Sequence, residues 1–594
     1  MDNTKDKCTC GCGCTSDPAP KYPEQVTGMW VLAQSLKRMG VKNVYGLVGI
    51  PITEAAYIIQ GEGIRFVGFR HEQQAGMAAA TDGYCNGFPG VLMTVSSLGF
   101  MNGLTATANA TVNCYPMVQI SGSSVREPID LEQGTYEGLD QLNVAKPVVK
   151  AAYRVNRAED IPTGVVRAFR AAISGRPGGV YLDITTPAMG QVMDRDKAEA
   201  LFHDPVDLCP AVMPSAESVQ RAVELLTSAR KPAILLGKGA ALARVEDLVK
   251  ELVERTGIPF YPMSMAKGIL PDKHPLSALS VRSTIMGDSD VVVLIGARLN
   301  WLLSRGHGKW NPDGKFIQLD IDPMEIDSNR HIAAPVVGDL RSSLQAILDK
   351  LPAKDKFAMD ATWVPGIQKE STEKNDKFAE RLKPQTVPMT HWSALSAAKK
   401  VLEANPDVIL VNEGANTLDD ARDTIDMALP RHRIDCATWA IMGMGMGSAI
   451  GAAVATGKSV VAIEGDSAFG FSGMDFSTIC RFKLPVTVCI FNNGGIYNGI
   501  GEPLDKTTDP APTTLDINAR YDKLGEAFGA KTWLVTTPAE FESALKEAIA
   551  SKAPALIDVQ LAADSGKESG HIGYLNPTFI PLLLPVYTPL LPLR

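Results

Sequence analysis

The chain has 594 residues, of which 45% are hydrophobic and 21% charged, and a formal net charge of −8. That balance fits an ordinary globular protein and leaves no basic surplus to neutralise a nucleic-acid backbone. So long a chain divides into roughly three or four domains rather than building one core, and no run of about 18 apolar residues is present to span a membrane.

In chain order, the first 26 residues carry Cys8, Cys10, Cys12 and Cys14 in an alternating run among Gly, Ser and Asp. Such a run can hold a soft metal as thiolates, and it can equally be a disordered leader with reactive thiols. No apolar core follows the first charges, so the segment does not read as a secretory signal. The expected compartment is the cytoplasm. The other cysteines are scattered, mostly in apolar segments, and make no disulfide framework.

From residue 27 onward, short apolar strands alternate with helical stretches. This is the α/β pattern of doubly wound parallel sheets covered by helices, here in three domains. The first block, 27–203, has strands at Val44–Gly49, Phe66–Phe69, Val91–Ser96 and Met117–Ser121. The Pro-rich passage Asp204–Ser215 opens a second block, 204–368, with strands at Ala233–Leu236, Val291–Ile295 and Phe316–Ile321. The polar, Lys-rich stretch Lys369–Lys383 reads as a connection into a third block, 369–576. Its strands fall at Val408–Val411, Val460–Ile463, Val486–Phe491 and Ala555–Val559. The tail Pro577–Arg594 is apolar but proline-punctuated, which forbids a regular helix.

Ligands of open parallel sheets sit at the carboxyl ends of strands, so chemistry is sought there. Glu464-Gly465-Asp466-Ser467 follows one strand of the third block, and Asn492-Asn493-Gly494-Gly495 follows the next. Asp466 offers a carboxylate, Asn493 an amide oxygen and Gly495 a backbone carbonyl, an all-oxygen set suited to Mg2+. Gly465, Ala468 and Gly470 are small enough for backbone N–H groups to approach a diphosphate. Either motif alone reads as a turn after a buried strand. Together they resemble the signature of the thiamine diphosphate-dependent enzymes, with Ser467 where the usual pattern ends in Gly.

The resemblance implies further positions. The cofactor needs a carboxylic acid against its aminopyrimidine ring, and Glu72, after the Phe66–Phe69 strand, matches it. In Thr438–Gly445, Met442 matches the residue that props the bent cofactor, and the Ala440 carbonyl accepts from its amino group. Ile496 and Tyr497 follow Gly495 on the cofactor loop, beside Ser467 at the other strand end. Family members draw the two halves of the site from different subunits, so a homodimer is the least active unit and a tetramer the expected assembly.

In the second block Gly237-Lys238-Gly239 follows a strand but lacks the full dinucleotide motif. An Asp at a strand end commonly holds ribose hydroxyls. The resemblance assigns Arg176, Lys238, Arg298 and Asp320 to ADP as an activator; the alternative is a central domain without ligand.

Within the family the chain is similar to the oxalyl-CoA decarboxylases from about Thr27 to Asn576. Gly46–Thr53, Ser121–Ser124 with Arg126-Glu127, Gly134–Glu137 with Asp140-Gln141, Val411–Asn416 and Glu568–Gly570 carry that likeness. The sister 2-hydroxyacyl-CoA lyases share GDSAFGFSGM, but have Phe-Gln at Tyr136-Glu137 and Phe at Trp439. The resemblance implies loss of CO2 from a CoA thioester, with Tyr136, Glu137 and Ser569 at the reacting centre. Arg282, Arg422 and Asn416 are candidates for holding CoA. The competing readings are the lyase, releasing formyl-CoA and an aldehyde, and a non-enzymatic homologue. Family members usually end in polar, basic residues, so the apolar tail departs from the pattern.

Overall fold

The computed structural model describes residues 24–497, 499–500, 509–516 and 519–566. The cysteine run, Ser569 and the Pro577–Arg594 tail lie outside these residues. Nineteen strands are assigned among the described residues, and all but two of them fall into three parallel sheets.

The exceptions, β1 (Gln25–Thr27) and β8 (Val192–Asp194), pair antiparallel. The first sheet holds β2 (Asn43–Gly46), β3 (Arg65–Gly68), β4 (Gly90–Thr94), β5 (Met117–Ser123), β6 (Ala151–Val155) and β7 (Gly179–Thr185) in the order β3-β2-β4-β5-β7-β6. The second holds β9 (Pro232–Leu236), β10 (Phe260–Pro262), β11 (Val291–Ile295), β12 (Lys315–Asp320) and β13 (Ala334–Val337) in the order β10-β9-β11-β12-β13. The third holds β14 (Ile409–Glu413), β15 (Arg433–Asp435), β16 (Val460–Gly465), β17 (Val486–Asn492), β18 (Lys531–Val535) and β19 (Ala555–Gln560) in the order β15-β14-β16-β17-β19-β18. The first and third sheets thus share one topology. In each, the chain reverses its direction of sheet growth between the first and third strands, which opens a crevice at their carboxyl ends. The expected three-domain α/β architecture is what the chain adopts.

The central strands are apolar on both faces and fully buried, as sheets covered by helices require. One element departs from expectation. The Lys-rich stretch Lys369–Lys383 is not an irregular connection, because most of it lies in the helix Trp363–Arg381. Its polar composition hides a narrow buried stripe, Trp363, Ile367 and Ser371, at four-residue spacing. Glu370 and Lys374 add an i,i+4 ion pair at 2.7 Å.

The first and third domains meet through two helices, Glu72–Asn86 and Gly445–Thr456. Both are rich in Gly and Ala and buried nearly all round. Gly447 and Gly451, four residues apart on one face, let the backbones touch. A Cβ on Gly451 would stand 2.3 Å from the Ala78 carbonyl oxygen, and one on Gly447 2.4 Å from that of Gln74. Neither contact can relax without moving backbone. Gly451→Ala is therefore expected to destabilise the protein by about 1–3 kcal/mol, the usual cost of overpacking. The denaturant midpoint at an unchanged slope measures it.

Candidate active site

At the crevice of the third sheet, β16 ends in Glu464-Gly465 and leads into Asp466, while β17 runs beside it in register, Gly465 opposite Phe491. Asp466 is buried; its carboxylate accepts the N–H groups of Ser467 and Gly494, each at 2.8 Å. Among the described residues no lysine or arginine pairs with it. Burial pushes its pKa up to about 6, despite the backbone donors that favour the charged form. The Asn493 amide nitrogen donates to the Ser565 carbonyl at 2.8 Å, while among the described residues its oxygen takes only the Gly495 N–H, at 3.3 Å. A buried carboxylate without counter-charge, beside a nearly free amide oxygen, fits a hard divalent cation. Gly495 is required there: a Cβ would lie 2.4 Å from the backbone of Gly499. The loop is fixed by Ile496 N–H to Thr513 O and Leu515 N–H to Gly494 O, both 2.8 Å. Tyr497 beside them is partly exposed, with φ of 54°. Ser467 lies between Asp466 and the buried Ala468.

Glu72 opens the Glu72–Asn86 helix, capped by His71, whose ring nitrogen accepts the Gln73 N–H at 3.1 Å. Its side chain is buried and accepts from the Asn102 amide at 3.1 Å. The turn before it is tied to the third domain: the Arg70 N–H donates to Asp475 at 2.6 Å, and the Arg70 side chain to Ser477 at 3.1 Å. Gln73 donates to the Met442 carbonyl at 3.4 Å, Gln74 donates to the Gly443 carbonyl, and Gly447 N–H returns a bond to Gln74 at 3.1 Å. The structure thus brings the start of the Glu72 helix against the Met442 loop. No direct bond joins Glu72 to Asp466.

Tyr136 and Glu137 lie over neighbouring strand ends of the first sheet. Ser124, after β5, donates to both their carbonyls at 2.9 and 3.1 Å, and Ser96, after β4, donates to the Glu137 carboxylate. The Tyr136 ring is two-thirds exposed, and the adjoining Glu137 raises its hydroxyl pKa.

One cavity of about 1630 Å³ runs along the second domain and is lined by Arg176, Lys238, Arg298 and Asp320, together with Arg282, Arg422 and Ala440. All four nucleotide candidates and two of the three CoA candidates therefore share it. Lysines and arginines outnumber aspartates on its wall, twelve to seven. Lys238 sits over the Tyr115 ring at 4.3 Å, and burial lowers its pKa to about 8. Arg176 pairs with Asp322 and Glu325 at 3.2 and 2.9 Å. Burial raises the pKa of Asp320, at the end of β12. Arg282 has a buried Nε without a partner among the described residues, and Arg422 pairs with Asp419 and Asp423. Gly237 and Gly239 are explained by packing: a Cβ on either would lie within 3 Å of Gly296. Asn416 spends its amide donors on the Tyr497 and Gly566 carbonyls, both at 2.9 Å, and is not on the cavity wall.

Sequence reading missed Glu413 as a functional side chain. It ends β14, opposite Glu464, and its carboxylate accepts the N–H groups of Gly443 and Gly445, the two glycines that flank Met444. Burial pushes it up to about 7, and the neighbouring Glu413 adds to burial in raising Glu464. The signal was available: Val411-Asn412-Glu413-Gly414 puts two polar residues at the end of an apolar strand.

The paired strand-end motifs and the carboxylate at the helix start define the class. The chain matches the thiamine pyrophosphate enzyme N-terminal TPP binding domain over residues 26–144, the central domain over 219–347 and the C-terminal TPP binding domain over 414–559. It belongs to the thiamine pyrophosphate-dependent enzyme family. Within that family it is 51% identical to the oxalyl-CoA decarboxylase of Escherichia coli (strain K12), over 93% of this chain and 98% of that one. It is 40% identical to the 2-hydroxyacyl-CoA lyase of Arabidopsis thaliana, over 94% and 100%, and 34% identical to the human 2-hydroxyacyl-CoA lyase 1, over 94% and 99%.

Proposed function

We propose that this enzyme converts oxalyl-CoA and a proton to formyl-CoA and carbon dioxide, using thiamine diphosphate held through Mg2+. The observation that carries the cofactor reading is the buried, uncompensated Asp466 carboxylate beside the Asn493 amide oxygen. The substrate reading rests on the greater identity to the oxalyl-CoA decarboxylase than to the lyases. Asp466, Asn493 and the Gly495 carbonyl would hold the cation; Gly465, Ser467, Ile496 and Tyr497 would surround the diphosphate. Thiamine diphosphate, when bound, supplies the electron sink for loss of carbon dioxide. Glu72 would face the aminopyrimidine ring and exchange a proton with it, the Ala440 carbonyl would accept from its amino group, and Met442 would support the cofactor from below. Tyr136, Glu137 and Ser569 orient the thioester and deliver the proton that replaces the carboxylate.

The cavity exceeds the usual range of about 300–1,000 Å³ for a small-ligand site. Its size and cationic wall suit two anionic ligands. We assign Arg176, Lys238, Arg298 and Asp320 to ADP, and Arg282 and Arg422 to the CoA side, while Asn416 lies off the cavity wall. Large apolar side chains at strand ends, including Ile50, Leu98 and Phe471, are more than 60% exposed and suit burial by a second copy. A dimer is the least assembly and a tetramer the expected one. All six described cysteines are unpaired, in keeping with a reducing cytoplasm. Among the described residues no helix is long and apolar enough to cross a membrane.

The test is an assay of purified protein with thiamine diphosphate, Mg2+ and oxalyl-CoA, following formyl-CoA by mass. Formyl-CoA at a multiple-turnover rate is the expected result. Aldehyde release from a 2-hydroxyacyl-CoA, with none of that product from oxalyl-CoA, would move the chain to the lyases.

A further inference from the structure

We infer that Asn113 is a positioning residue for the cofactor-side loop and couples that loop to occupancy of the central cavity by a nucleoside diphosphate. The coupling rests on the nucleotide reading of that cavity, and it comes from one junction where the three domains meet.

Asn113 is the last residue of the Leu98–Asn113 helix and is 1% exposed. Its side-chain oxygen accepts two successive backbone N–H groups of the third domain, Thr438 at 2.9 Å and Trp439 at 3.2 Å. Its amide nitrogen donates to Asn109 at 3.2 Å and to the Cys436 carbonyl at 3.3 Å. One turn earlier, Asn109 donates to the Trp439 carbonyl at 3.2 Å. One helix end thereby fixes Cys436–Trp439, the segment leading directly into Ala440 and Met442.

The same helix end is held from the other side by the central domain. Lys238 donates to the Asn113 carbonyl and Arg298 to the Val112 carbonyl, the latter at 3.1 Å. Arg298 and Asn300 reach the Thr438 hydroxyl, each at 3.5 Å, and the Trp301 indole donates to the Thr438 carbonyl at 3.2 Å. Lys238, Arg298, Asn300 and Trp301 all line the cavity, as does Thr438 itself.

An ammonium carries three donors and a guanidinium five. The helix-end carbonyls engage one from each, so an anionic ligand can take others without breaking these bonds. Binding then immobilises both cations, and through them the helix end and the Thr438–Trp439 amides. The cost of ordering is met by the first ligand, which is positive coupling without a large movement.

Hydrogen–deuterium exchange of the full-length protein, free of thiamine diphosphate, tests this at the Thr438 and Trp439 amides, with ADP binding followed by calorimetry. In the wild type, ADP is expected to slow exchange there by at least about fivefold, the lower end of usual site–site coupling. Asn113→Leu is expected to bind ADP within about twofold of wild type yet lose that protection, and Asn113→Asp, which keeps the acceptor, to restore most of it. Thr438→Val, which removes only the hydroxyl, is the second variant should Asn113→Leu not fold, and it is expected to weaken the protection. Full protection in a folded Asn113→Leu protein, or in Thr438→Val where that variant is the one tested, would overturn the inference. So would ADP binding to the wild type without any protection. An absence of ADP binding to the wild type would instead remove the nucleotide reading beneath it.

Discussion

Glu72→Ala is expected to lower turnover of oxalyl-CoA about 10²–10⁴-fold, the usual contribution of a positioned acid or base. That corresponds to roughly 3–5 kcal/mol of barrier. The carboxylate is buried with one hydrogen-bond partner among the described residues, Asn102, so the stability cost is small, about 1 kcal/mol for one lost bond. The Asp466 site makes no bond to Glu72, so cation and diphosphate binding are expected to change by no more than severalfold. Glu72→Gln sharpens the test, because it preserves shape and leaves an oxygen for Asn102 while removing the acid. Both variants are expected to fall together in kcat, with cofactor binding by calorimetry nearly unchanged. Turnover retained by either would refute the assignment of Glu72. Cofactor binding lost along with turnover would instead mean that the carboxylate holds the helix start in place.

The two strand-end motifs were legible because their chemistry is local. Asp466 and Asn493 each follow an uninterrupted apolar strand, and those strands are neighbours in register. Strands that read clearly are the ones buried on both faces, such as β11 and β17. Those that were not read include the edge strands β6, β13, β15 and β18. Of these, β6 and β18 are half-exposed and make no apolar run, β15 is only three buried residues with Arg433 and Asp435 among them, and β13 is four residues broken by Pro335. The strand β7 was hidden differently: Asp183 interrupts its apolar run and is buried because Arg154 of β6 meets it at 2.6 Å. Such a pair is visible only once the strands are side by side. Glu413 and Asn113 share this property. Their partners are backbone N–H groups of a loop far along the chain, 443–445 and 438–439 respectively. The sequence marks Glu413 as a polar strand end, but backbone donors leave no residue type to show which loop it, or Asn113, holds. Glu72 lies between these cases, since an acid at a helix start is ordinary and gains meaning only from the company of Asp466.

Asp466→Ala is expected to weaken Mg2+-dependent cofactor binding more than about 100-fold, beyond what losing an outer-shell partner costs. The wild type should carry the same dependence in its pH profile. Burial pushes Asp466 up to about 6 from an ordinary value of 3.8, and a cation binds only the carboxylate. Affinity is therefore expected to be level above about pH 6 and to fall about tenfold per unit below it, one proton being displaced per cation. Folding stability moves the opposite way in the metal-free protein. A raised pKa means that the protonated form stabilises the fold below about pH 4, and this contribution is lost as pH rises through about 6. Asp475, raised to about 6, and Glu413, raised to about 7, add contributions of the same sign, so the melting midpoint alone does not isolate Asp466. The rise in midpoint caused by Mg2+ with thiamine diphosphate does, because only that difference requires the Asp466 charge. It is expected to be small at pH 5, to grow through pH 6 and to disappear in Asp466→Ala. An Mg2+-dependent rise at pH 5 equal to that at pH 7 would mean that the cation is held by groups other than this carboxylate.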